Sequence, residues 1–167
     1  WGFTTEAKPQ PALEETLEAT YRVISSGYFG AMKIPLLRGR VFTSADNESA
    51  PGVVIINETL GRRFWPKEDA LGKRIKLGSP EPQRAWDGLW LTIIGVVGDV
   101  RADGLENEVR PEMYLSYLQN PWRGMPSRSY MTLVGRTMSF VARGAAEPAS
   151  LTAALRQAVA AVDKNQP

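Results

Sequence analysis

The stretch Leu91–Val97 is apolar on both faces except at Thr92, and it constrains the fold more than any other run in the chain. A strand with two apolar faces must be covered on both sides, which places it in the middle of a sheet. The second long apolar run, Val53–Ile56, is also strand-sized. Neither approaches the ~18–20 apolar residues that a membrane-crossing helix needs. No charged segment followed by an apolar one opens the chain, so a leader peptide is not expected. The first residue is Trp, which gives the chain the look of an excised fragment. With 167 residues and 43% hydrophobic content, one domain or two small lobes sharing a core are expected to fold without staples.

Around that central strand, local signals place the other elements. Trp1–Thr5 reads as a short strand ended by Pro9 and Pro11. Thr20–Ser25 alternates as a strand, and Tyr28–Met32 follows as a helical turn with aromatics to bury. Ile34–Leu37 is extended because the residue before Pro35 is pushed out of the helical region. Gly39, inside Arg38-Gly-Arg-Val-Phe42, predicts a bulge or a close backbone approach. Asn57 is a helix cap with Glu58 in the first turn, and the helix 58–65 presents Leu60, Phe64 and Trp65 before Pro66 stops it. Lys73–Leu77 alternates basic with apolar, as an edge or half-exposed strand does. Met113–Leu118 is a further strand, and strand-like residues recur near 130–134 and 138–143. Leu151, Ala154, Leu155, Ala158, Val159 and Val162 form one helical stripe over 150–162. The expected class is α+β, with mixed sheets and short helices.

The chemistry open to this chain is narrow. It has no Cys and no His, which removes disulfides, thiolate nucleophiles, imidazole acid–base chemistry and most transition-metal ligation. No metal site and no cofactor site are expected. Paired carboxylates are the remaining toolkit, and Asp99 with Asp103, or Asp46 with Glu48, could serve as acid and base. Both pairs sit in predicted turns, where Asp is ordinary turn chemistry, so no catalytic residue is assigned. Gly95-Val-Val-Gly98 lacks the Lys-Ser/Thr of a phosphate-binding loop and the third glycine of a dinucleotide fingerprint. Asn47-Glu-Ser49 and Asn57-Glu-Thr59 match a glycosylation tripeptide that arises often by chance.

A formal charge of +2, from 20 basic and 18 acidic residues, is no nucleic-acid footprint. The basic residues between Arg62 and Lys76 read as a solvated surface beside Glu68 and Asp69. The loop Gln119–Ser129 is the candidate partner contact. It is rich in Pro, Gly and Ser, and Trp122, Arg123 and Arg128 are residue types enriched at interface hot spots.

The order of segments carries a resemblance. Tyr28-Phe29 precedes Ile34-Pro-Leu-Leu-Arg-Gly-Arg-Val-Phe-Thr43 and Asp46, then Val53-Val-Ile-Ile-Asn-Glu58. Arg63-Phe-Trp-Pro66, Leu71-Gly-Lys-Arg-Ile75, Ile94-Gly-Val-Val-Gly-Asp-Val-Arg101 and Pro111-Glu-Met-Tyr114 follow. Val141-Ala-Arg143 and a helix ending Val162-Asp163 close the series. Over roughly 20–167 the chain resembles the MacB-like periplasmic core domain of FtsX-type ABC-transporter permeases. Gly61 departs from the pattern, standing where the family usually has a small helix former.

The resemblance implies a non-enzymatic domain on the periplasmic side of the bacterial inner membrane, within an integral membrane protein. It implies a porter-like lobe, 1–45 with 130–167, and an inserted smaller α/β lobe, 46–129. Within that division neither 20–45 nor 138–162 has enough apolar surface to stand alone, so Thr20–Ser25 and 138–143 are expected in one sheet. The implied role couples ATP-driven membrane-domain motion to substrate export or to a partner protein. The implied partners are the parent's transmembrane helices, an ATPase subunit or domain, and a periplasmic adaptor or symmetry mate, with no nucleic acid. The alternative is a stand-alone extracytoplasmic binding module or a carboxylate-based hydrolase.

Overall fold

Strand β7 (Trp90–Val97) lies inside an eight-stranded mixed sheet, as its two apolar faces require. The computed structural model describes residues 2–6, 17–77, 90–101, 104, 106–119, 139–145 and 148–162. They fall into two compact units, Trp1–Thr137 and Met138–Pro167. The first unit contains β1 (Gly2–Thr5), β2 (Leu17–Glu18), β3 (Thr20–Ile24), α1 (Tyr28–Met32) and β4 (Leu36–Gly39). It continues with β5 (Val53–Asn57), α2 (Glu58–Phe64), β6 (Arg74–Leu77), β7 and β8 (Glu112–Ser116). The second unit contains α3 (Pro148–Val162), which covers the predicted stripe.

The sheet runs β2-β1-β6-β7-β5-β8-β3, with β4 also on β7. Strand β5 pairs parallel along one edge of β7. The other edge is shared, with β6 on Trp90–Thr92 and β4 on Gly95–Val97, both antiparallel. Successive side chains of β5 and β8 divide between two apolar clusters, as a strand's period of two demands. Val54, Ile56, Met113 and Leu115 join Phe3, Leu60, Ile75, Leu91 and Ile93 on one face, beneath α2. Val53, Ile55 and Tyr114 join Ile24, Phe29, Ile34, Phe42 and Val97 on the other, beneath α1. Phe29 meets Tyr114 edge-on at 4.9 Å between ring centroids. Each Leu- or Val-sized side chain buried in this way contributes about 1.5–3 kcal/mol, so both faces are needed to hold the unit.

The strand order has a topological consequence. Strands β2 and β3 stand at opposite ends of the order, yet only Ala19 separates them in the chain. Residues 17–24 are therefore one bent segment that pairs with β1 through its first part and with β8 through its second. The sheet closes on itself through Ala19, which is buried in the core under α2.

Most local expectations hold. Asn57 is fully buried and caps α2, its Oδ1 accepting from the Leu60 amide at 3.0 Å. Of the two readings offered at Gly39, the close backbone approach holds there, while the β4–β7 register slips two residues earlier, between Leu36 and Arg38. Gly39 has φ +75°, and a Cβ there would sit 2.2 Å from the Ile94 carbonyl oxygen. Gly95, directly opposite, would place a Cβ 2.4 Å from the Arg40 carbonyl oxygen. The two glycines let β4 lie against β7.

Strand β6 is half-exposed, as expected, with β1 and β7 on its two sides. Two expectations are corrected. Residues 139–143 form no strand and are exposed, so Thr20–Ile24 takes β8 as its neighbour. The separation of 1–45 from 46–129 also fails, because β1, β3 and β4 hydrogen-bond directly to β6, β8 and β7. Neither the resemblance nor the distribution of apolar surface reveals that the N-terminal strands complete the sheet of the middle segment. The segments expected near 130–134 lie outside the described residues.

The glycines give opposite mutational outcomes. Gly95→Ala forces a Cβ into backbone and lowers stability by about 1–3 kcal/mol. At Gly61 a Cβ meets Ile56 Cδ1 at 3.6 Å, an ordinary contact, so Gly61→Ala stabilises by about 1 kcal/mol through helix propensity. Urea unfolding of the two variants against the parent chain reads both signs.

Candidate functional site

The loop carrying Trp122, Arg123 and Arg128 lies outside the described residues, but its first residue does not. Gln119 is buried, and its Oε1 accepts from the Val53 amide at 3.0 Å. Its Nε2 donates to the carbonyls of Asn47 at 3.2 Å and Pro51 at 3.0 Å. The side-chain amide thus ties the exit of β8 to the entry of β5. The candidate contact loop starts from a fixed point. Nothing in the sequence marks Gln119 out, since its role depends on a neighbour 66 positions away.

Two of the four carboxylates weighed as acid–base groups, Asp46 and Asp99, are engaged in holding loops. Asp46 is buried, accepts from Arg40 Nη1 at 2.7 Å and Nη2 at 2.8 Å, and takes the Thr43 amide at 2.8 Å. The Arg40 hydrogen bonds hold the Asp46 carboxyl below its usual range, with the Thr43 amide adding to them against the cost of burial. Asp99 accepts from the Thr59 amide at 2.9 Å and the Thr59 hydroxyl at 2.7 Å, and pairs with Arg62 at 3.3 Å. It ties the turn after β7 to the first turn of α2. Glu48 is exposed, and Asp103 lies outside the described residues. Among the described residues no group of three metal-capable side chains converges.

The structure does gather one polar cluster that the sequence did not reveal. Glu112, buried at the start of β8, accepts from the Tyr114 hydroxyl at 2.7 Å and from Arg22 Nε of β3. Burial, then the hydrogen bond to Glu112, pushes the Tyr114 hydroxyl pKa far up, so it stays a donor. The Glu112 amide donates to Asn57 Oδ1 at 2.9 Å, and Asn57 Nδ2 donates to the Arg110 carbonyl at 2.9 Å. These groups border a pocket of about 30 Å³ lined by Thr20, Arg22, Arg101, Asn107, Glu108 and Arg110 among others. A Glu two residues before a Tyr, on the same face of a strand, was the available signal.

The depressed Asp46 carboxyl fixes a pH dependence. A lowered folded-state pKa contributes stability that is full above the usual carboxylate range and lost as pH falls through the folded value. Asp46→Asn is therefore expected to cost about 2 kcal/mol near neutral pH. The gap to the parent chain should narrow as pH drops below about 4, the unperturbed range. Thermal unfolding across that pH range checks it.

With the geometry in place, comparison with known proteins becomes informative. The crystal structure of the periplasmic region of MacB from Actinobacillus actinomycetemcomitans shares 18% identity, with a TM-score of 0.53 over 86% of this chain and 56% of that one. The extracellular domain of the noncanonic ABC-type transporter YknZ from Gram-positive bacteria shares 25% identity, with a TM-score of 0.46 over 70% of this chain and 50% of that one. The chain thus spans about half the length of these structures, and the first of them shows a common fold. Among curated proteins none matches. A sequence profile for the MacB-like periplasmic core domain matches residues 5–161. Since that match spans nearly the whole chain, the protein belongs to the MacB-like periplasmic core domain family.

Proposed function

We propose that this chain is the extracytoplasmic domain of an ABC-transporter permease, where it carries ATP-driven motion of the membrane domain to an exported substrate or a partner protein. The observation that carries this reading is the extent of the family match, residues 5–161. The polar groups agree with it. Asp46, Asp99 and Gln119 brace loops onto a closed sheet, which suits a body that moves as a unit. Among the described residues no helix is long and apolar enough to cross a membrane. The membrane-spanning and ATP-hydrolysing parts are then supplied by the parent protein and its ATPase subunit or domain. The loop with Trp122, Arg123 and Arg128 is the surface we assign to an adaptor protein or a symmetry mate.

The absence of native cysteine makes the location directly testable. Lys67, which is exposed, becomes the only cysteine of the parent permease in a Lys67→Cys variant with any other cysteines replaced. A membrane-impermeant maleimide is expected to label it in intact cells whose outer barrier, where one exists, has been opened. Labelling only after the inner membrane is broken contradicts the reading. So does hydrolysis by the purified chain that Asp99→Asn abolishes.

A further inference from the structure

We draw no further inference here: the strongest candidate, the exposed apolar side chains Met32, Leu36 and Leu37 on the surface where α1 leads into β4, carries nothing because nothing in the structure shows what covers them.

Discussion

The architecture depends on one bent segment serving both ends of a sheet. Residues 17–24 pair with β1 before Ala19 and with β8 after it, so the outermost strands of the order are continuous in the chain. A sheet closed in this way leaves few unpaired edges, which spares it the aggregation hazard of long exposed strands. Among the described strands, β4 keeps an outer edge. It is four residues long, bulged and carries Arg38, the features by which natural proteins blunt an edge. Its inner edge reaches β7 only because Gly39 and Gly95 face each other without Cβ atoms.

Buried polar side chains then fix what the sheet alone leaves loose. Asn57 uses one side chain to cap α2, receive the Glu112 amide and hold the Arg110 carbonyl. Gln119 makes three hydrogen bonds that tie β8 to β5 and the 44–52 loop. Asp46 and Asp99 do the same for the turns beside β4 and α2. Each buried group has found partners, and removing one leaves a desolvated donor or acceptor that costs about 1–3 kcal/mol. This use of carboxylates and amides as braces is why acidic residues in turns were poor evidence for catalysis. It also suits a domain whose proposed work is mechanical.

Local features were legible in the sequence because they obey short-range rules. The two-sided apolar run of β7, the Asn57 cap, the close approach at Gly39 and the stripe of α3 all follow from periodicity or from the chemistry of one residue. What the sequence hid was long-range. The parallel pairing of β3 with β8 joins residues some 90 positions apart, and no local pattern distinguishes it from pairing with a strand near 138–143. The Arg22–Glu112 contact is hidden for the same reason. The family resemblance gave the class of domain, but neither it nor the distribution of apolar surface revealed the strands that complete the sheet.

The bent segment makes one cooperative body of the strands from β1 to β8. Native-state hydrogen exchange of the 167-residue chain tests it most directly. The account predicts that hydrogen-bonded amides of β1, β3 and β8 exchange only through the same global opening as those of β5 and β7. Exchange of the β1–β2 pair through a separate low-energy opening, with β3–β8 still protected, would contradict it.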